Sequence, residues 1–190
     1  MLVVKETPFE TGSSTGRPKQ ASGEEKHEPF LFDIKRHPVT EDTKFTSPRI
    51  MRLLTWWRGF HGEMPRRDQF DIIDFIDLAP YICLVEALDP ECRKFRFRVK
   101  GEILVEIVGP TDTDLIFGLP GTGYDSEEHA ALAHYFNDVL TSRQPWRCHG
   151  VALRFGVTRV ALETIDLPLA DDIGQPRYSL GLMDIVGRPE

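Results

Sequence analysis

The chain has 190 residues, of which 41% are hydrophobic and 28% charged, and its formal net charge is −7. Such a composition supplies one globular core, and the negative charge disfavours binding to nucleic acid or anionic lipid over the whole surface. The three cysteines form no C-x-x-C pair, and no apolar run reaches the roughly 18 residues of a membrane-spanning helix. We therefore expect a cytoplasmic protein without a zinc site, a disulfide framework or a membrane anchor.

The first part of the chain differs in composition from the rest. Residues 1–48 are rich in Gly, Ser, Thr, Pro and Glu, so they are predicted to be a disordered tail. The short apolar island Pro29–Ile34 could dock on the domain or on a partner, and an ordinary loop contact is the favoured interpretation. A single domain is expected to follow over residues 49–187.

A leading helix is predicted to begin at Ser47-Pro48, because serine caps helices and proline is preferred at the first helical position. An apolar stripe follows at helical spacing, formed by Ile50, Leu53, Leu54 and Trp57. This apolar stripe is wider than the apolar patches that a soluble monomer usually exposes to water. It must pack on a sheet or on a second copy of the chain, so the helix is the candidate dimerisation or output element for a homodimer.

Three aspartates, Asp71, Asp74 and Asp77, follow at a spacing of three residues. They lack a histidine or further carboxylate at the spacing of known metal motifs. We expect solvent-facing or capping carboxylates here and no metal site.

A change to period two from Tyr81 predicts a β-hairpin made of YICLVEAL and KFRFRVKG. In its second strand, Phe95, Phe97 and Val99 are expected to face the core. The basic side chains on the opposite face are Lys94, Arg96, Arg98 and Lys100. A short helix is predicted to follow and to end at Gly109-Pro110.

The longest helix is expected to start at a capping box, Asp125-Ser-Glu-Glu128, with Asp125 as the cap. It would bury Leu132, Tyr135, Phe136, Val139 and Leu140 and end before Pro145. Three more strands between Trp146 and Val186 predict an antiparallel meander.

The predicted order is two strands, short helices, one long helix and three strands, which is typical of a five-stranded antiparallel PAS sheet with its helices inserted between strands 2 and 3. Family motif positions are occupied by Trp56-Trp57-Arg58, Gly62, Pro65, Arg67, Phe70-Asp71, Phe95, Phe97, Arg98, Gly101, Gly109 and Gly118. From Arg49 to Val186 the chain resembles a PAS-like domain family found mainly in alphaproteobacteria. Ile72 and Glu102 depart from it, since the family favours proline and a small hydroxyl residue there.

The resemblance implies an α+β fold and a sensory or regulatory role in bacterial signalling, and it brings no catalytic residues. We expect the domain to bind a small metabolite or a signalling protein and to pass on a conformational or oligomeric change. A ligand would lie between the sheet and the helices. The candidate lining is Tyr81, Cys83, Phe97, Ile103, Ile107, His129, Leu132 and Phe136. The alternative is that these side chains only fill the core.

Cofactor chemistry finds little in the sequence. His129 is the histidine that could share the inward face of the long helix and bind haem iron, but a first-turn histidine is more often a capping or exposed residue, so no cofactor is predicted. Flavin photochemistry requires a cysteine after the short helices, and residues 109–123 contain none.

Two further functions compete with the sensory one. The basic strand Lys94–Lys100 could bind RNA, although its phenylalanines and arginines point in opposite directions and cannot meet one ligand. The chain could also be a structural protein-interaction domain without a ligand. An enzyme is not expected, because the sequence lacks G-x-S-x-G, H-E-x-x-H and P-loop motifs.

Overall fold

The computed structural model of the protein describes residues 31–109 and 115–189. Its α-helices are α1 (Pro48–Arg58), α2 (Glu102–Val108) and α3 (Glu127–Ser142), and two 3-10 segments span Arg67–Gln69 and Ile72–Tyr81. Its strands are β1 (Leu31–Pro38), β2 (Ile82–Ala87), β3 (Lys94–Lys100), β4 (Ile116–Gly118), β5 (Trp146–Arg154), β6 (Thr158–Ala170) and β7 (Pro176–Gly187).

The strands form one antiparallel sheet in the order β1-β5-β6-β7-β2-β3-β4. The predicted five-stranded PAS sheet is therefore wrong, because the sheet has seven strands. The five predicted strands are present and occupy its centre. β1 and β4 each extend one edge, β1 by pairing with β5 and β4 by pairing with β3.

The β1 strand lies within the segment that the sequence assigned to a disordered tail. It pairs with β5 from Leu31↔Ala152 to Pro38↔Trp146, with an irregularity between Phe32 and Lys35. Residues 31–34 of the apolar island therefore join the sheet, which corrects both the loop-contact interpretation and the tail boundary over residues 31–38. Residues 1–30 lie outside the described residues.

Helix α1 begins as predicted: the side chain of Ser47 accepts a hydrogen bond from Ile50 N, and Pro48 occupies the first helical position. Its stripe packs on one face of the sheet, against side chains such as Ile165 and Leu167 of β6. Trp57 Nε1 also donates to Pro168 O at 2.9 Å. The helix is thus fixed to the sheet by apolar packing and a buried hydrogen bond.

The other face of the sheet is covered by α3 and α2. Consecutive residues of a strand point to opposite faces, so Asp166, which binds Tyr135 of α3, lies opposite Ile165, which packs with α1. Under α3 the core contains Phe95, Phe117, Phe136, Val139 and Leu140. The α2 residue Ile107 packs with Ala152, Val160 and Leu162.

The prediction for β3 is right for the two phenylalanines and wrong for Val99. Phe95 is 0% exposed and Phe97 packs against the α3-side core, whereas Val99 is 45% exposed. The pairing of β3 with β2 shifts between Leu84↔Val99 and Val85↔Phe97. This bulge inserts one residue, Arg98, and so turns Val99 away from the face that strict alternation assigns to it.

Candidate functional site

The eight predicted cavity residues are divided between the two faces of the sheet. Tyr81 packs on the α1 side, where its ring lies 4.3 Å from the guanidinium carbon of Arg49. Phe97, Leu132 and Phe136 lie together in the core under α3. The face with α2 and α3 also carries Cys83, and Ile103 and Ile107 lie on α2. The structure thus separates Tyr81 from the other candidates, and ligand binding by the rest stays a prediction.

The candidates under α3 are closely packed with other aromatic rings. The ring of Phe136 lies 6.1 Å from those of Phe95 and Phe97 and 6.2 Å from that of Phe117, measured between centroids. Only 4% of Phe136 is exposed. These side chains pack against one another in the core under α3.

His129 lies in the first turn of α3, beside its cap. The cap is Ser126, one residue after the predicted Asp125. The Oγ of Ser126 accepts a hydrogen bond from His129 N and lies 2.9 Å from His129 Nδ1. The ring contacts that of Phe117 at a centroid distance of 6.0 Å. The ring nitrogen Nδ1 of His129 is therefore within hydrogen-bond distance of the residue that caps α3.

An open cavity of about 600 Å³ lies between α2 and the turn joining β5 to β6. Ile107 lines it together with Val105, Glu106 and Phe155. The turn is attached to α2 because Phe155 N donates to Glu106 O at 2.7 Å and Arg154 pairs with the Glu106 carboxylate at 2.8 Å. Of the predicted cavity residues, Ile107 thus borders an open space.

The stripe proposed for dimerisation is covered by the chain's own sheet. Ile50, Leu53, Leu54 and Trp57 are exposed by 0, 0, 2 and 9%, respectively. A homodimer through this stripe would require α1 to leave the sheet, and homodimerisation stays a prediction.

Two buried carboxylates, which no pattern in the sequence marks, bind the residues at the beginning of α1. Glu163 Oε2 accepts from Thr46 N and Ser47 N, both at 2.9 Å, and its Oε1 lies 2.6 Å from Arg147 Nη2. Asp184 accepts from Ser47 Oγ at 2.6 Å. Glu163 and Asp184 are direct partners in the β6–β7 ladder and are 1% and 4% exposed.

Two arginines of the basic strand, for which RNA binding was considered, form ion pairs with the carboxylate of Glu86, and so does Arg177 of β7. Glu86 of β2 lies 3.2 Å from Arg96, 3.6 Å from Arg98 and 3.4 Å from Arg177. The Lys94 ammonium lies 5.8 Å from the centre of the Tyr124 ring. Glu86 and Arg96 are direct partners in the β2–β3 ladder, so their ion pair joins the two strands.

The polar cluster that most resembles a functional site is centred on Asp166, in the middle of β6. This carboxylate is 5% exposed. Its Oδ2 accepts from Tyr135 Oη of α3 at 2.7 Å, and its Oδ1 accepts from Ser179 Oγ of β7 at 3.3 Å. One carboxylate therefore links a helix to two central strands. The sequence pattern predicts Tyr135 to lie in the core, but it contains no signal that marks Asp166 as a functional residue.

Burial sets the charge properties of this cluster. Desolvation raises the pKa of Asp166 from 3.8 to about 6, although the hydrogen bonds from Tyr135 and Ser179 oppose the rise. Burial followed by the nearby Asp166 charge raises the pKa of Tyr135 well above its usual value. Thr164 lies close enough to lower the pKa of Asp166, but its buried Oγ1 has no hydrogen-bond partner.

Two buried thiols and a glycine complete the surroundings of Asp166. A side chain at Gly181 would collide with the Cys83 sulfur and would place its Cβ 2.8 Å from Asp166 Oδ1. Glycine is therefore required at this position for the carboxylate and the thiol to lie side by side. Burial and then the charge of Asp166 raise the pKa of both Cys83 and Cys148, which keeps these thiols protonated.

No family model matches the chain, and no curated protein matches it. Among solved structures it is similar to one described as the structure of an RNA-binding light-oxygen-voltage receptor, with 12% sequence identity and a TM-score of 0.42. The match covers 81% of this chain and 38% of that chain. RNA binding is a property of that receptor. Within the part of the chain that the structure describes, every helix is too short or too polar to cross a membrane.

Proposed function

We propose that the chain is a sensory and regulatory module without catalytic activity, in which the buried cluster around Asp166 receives the signal and α3 responds to it. The observation that carries this proposal is the position of the Asp166 carboxylate, which is buried in the central strand and bonded to Tyr135 and Ser179. The proposal retains the sensory role that the sequence resemblance implies.

The surroundings of Asp166 favour a response to protons. α3 contributes Tyr135, β7 contributes Ser179, and β6 contributes Thr164. The neighbouring thiols are Cys83 of β2 and Cys148 of β5. The charge of Arg36 on β1 lowers the pKa of Asp166. The guanidinium of Arg36 lies 5.1 Å from the centre of the Tyr135 ring and donates to Ala131 O. The charge of Asp166 is thus met mainly by neutral groups.

A buried charge without a directly bonded cation favours any motion that brings it to water. Outward movement of α3 would hydrate Asp166 and restore the ordinary pKa of its carboxyl group. Opening of α3 is therefore favoured when Asp166 is ionised and disfavoured when it is protonated. The two pKa values, 3.8 and about 6, correspond to a change in the opening constant of up to roughly 100-fold.

The same burial argues for a regulatory rather than a catalytic role. A general acid or base must come within hydrogen-bond distance of its substrate. Asp166, Tyr135 and Cys83 are 5, 6 and 8% exposed, so a substrate could not reach them without a rearrangement of α3. The raised pKa values of the thiols also disfavour nucleophilic attack, which requires the thiolate.

Hydrogen exchange of the α3 amides, measured against pH and corrected for intrinsic exchange, tests the proposal. In the wild type, the opening constant of α3 should rise by up to about 100-fold between roughly pH 4 and pH 7. In Asp166→Asn it should not depend on pH over this range. Tyr135→Phe removes one hydrogen bond from the carboxylate, so the midpoint should move to higher pH. Equal pH profiles for the wild type and Asp166→Asn would refute the proposal.

A further inference from the structure

The Ile72–Tyr81 segment leaves large apolar side chains in contact with water. Ile73 is 72% exposed, Ile76 is 66% exposed and Ile72 is 39% exposed. We refer to these three residues as the isoleucine surface. We propose that this surface binds a protein segment that presents apolar side chains among lysine or arginine residues. The inference does not depend on proton uptake by Asp166.

The isoleucine surface is fixed in place by buried residues of the same segment. Phe75 and Leu78 of the same segment are 7% and 1% exposed and belong to the core under α1. Phe75 also stacks on Phe70 at a centroid distance of 5.3 Å. The isoleucines are therefore presented on a fixed backbone, so a partner would not have to bear the cost of ordering it.

Arg52 of α1 anchors the segment from the side. Its Nη1 lies 2.7 Å from Asp77 Oδ2, and its Nη2 donates to Asp74 O at 2.8 Å. The guanidinium also lies 5.1 Å from the centre of the Phe75 ring. The exposed isoleucines thus belong to a segment tied to α1.

The charges around the isoleucine surface define the chemistry of its partner. Asp71, Asp74 and Asp77 are all exposed and alternate with the isoleucines along the chain. Asp71 accepts from Ile73 N at 2.9 Å and so keeps its capping role. Of these three carboxylates, Asp77 pairs with Arg52, and Asp71 and Asp74 add negative charge to the rim of the isoleucine surface. An apolar patch with a negative rim is complementary to an apolar segment with a positive rim.

The same rim disfavours the other possible occupants. A second copy bound through this patch by two-fold symmetry would bring aspartates against aspartates. Anionic lipid headgroups and nucleic acid phosphates would also be repelled by the carboxylates. A basic, amphipathic protein segment meets both the apolar and the charged part of the surface.

The test uses two helical peptides, one made of leucine and lysine and one made of leucine and glutamate. Each peptide is added to the full chain, whose isoleucine methyl groups are isotopically labelled, and binding is followed by NMR. The lysine peptide should bind and shift the methyl signals of Ile72, Ile73 and Ile76. Ile73→Ser/Ile76→Ser should weaken this binding about tenfold or more, and Asp74→Lys should weaken it several-fold. The glutamate peptide should bind at least tenfold more weakly than the lysine peptide.

Matched controls come from the turn between β6 and β7, where Ile173 is 80% exposed and Asp172 is also exposed. Ile173→Ser and Asp172→Lys should leave the affinity for the lysine peptide within about twofold. Equal binding of both peptides, or equal loss in control and test variants, would overturn the inference. Three further results would also overturn the inference. They are dimerisation of the wild type in light scattering, its binding to anionic vesicles and its binding to single-stranded RNA, provided that Ile73→Ser/Ile76→Ser abolishes that behaviour. In each case the isoleucine surface would have a different occupant.

Discussion

The hydroxyl of Ser47 donates a 2.6 Å hydrogen bond to Asp184, a residue 137 positions further along the chain. The same oxygen accepts from Ile50 N and so caps α1. Ser47 is 1% exposed and Asp184 is 4% exposed. One buried hydroxyl therefore both starts the helix and joins it to β7.

Replacement of Ser47 should cost more than the loss of an ordinary helix cap. Ser47→Ala removes the cap and leaves the buried Asp184 with one donor fewer, so we expect the free energy of unfolding to fall by about 2–3 kcal/mol. Ser126→Ala is the matched control, since Ser126 caps α3 at an exposed position, and it should cost about 1 kcal/mol. Urea denaturation of both variants measures the difference, and equal losses would contradict the role of Asp184.

The pair formed by Arg147 and Glu163 should be strongly non-additive. Arg147→Met leaves the 1% exposed Glu163 without its cation, and we expect a loss of about 3 kcal/mol of stability. The double variant Arg147→Met/Glu163→Gln removes the uncompensated charge and retains an oxygen for Thr46 N and Ser47 N. It should therefore be more stable than Arg147→Met alone. A double variant as unstable as the sum of the two single ones would show that the pair is not coupled.

Local signals explain which elements could be predicted from the sequence. Ser47-Pro48 identifies the start of α1, and the period-two patterns identify the five central strands. The three-residue β4 is too short to show a period, and β1 gains its structure from pairing with β5, more than 100 residues away. Val99 was misplaced because a bulge is a property of two paired strands and leaves no mark in one of them.

The candidate site was harder to predict than the fold for a related reason. β6 is buried on both faces from Leu162 to Ala170, so its polar residues carry no periodic signal that marks them as interior. Asp166 acquires its environment from Tyr135 and Ser179, which come from two other elements. The isoleucine surface was overlooked because isoleucine near aspartate in a helical segment is normally buried, and its exposure depends on how the segment lies on α1.

The three free thiols report on local opening of the core. Cys83, Cys92 and Cys148 are 8, 2 and 9% exposed, and burial is the main cause of the raised pKa of each, to about 11 for Cys92. A thiol must be ionised and accessible to react, so we expect the folded protein to react with a disulfide reagent at least 100-fold more slowly than the unfolded chain. Rapid reaction of any thiol in the folded wild type would contradict the described packing.

The free energy of unfolding should depend on pH because of Asp166. Its pKa is about 6 in the folded protein and 3.8 in the reference state, so the folded state binds a proton more readily than the unfolded state. The stabilisation that protonation provides is complete below about pH 4 and is lost as the pH rises through about 6, a change of roughly 3 kcal/mol. Because other carboxylates also titrate, the informative quantity is the free energy of unfolding of the wild type minus that of Asp166→Asn, measured by urea denaturation at several pH values. This difference should fall by roughly 3 kcal/mol between about pH 4 and pH 7, and a constant difference would show that Asp166 titrates as an ordinary exposed carboxylate.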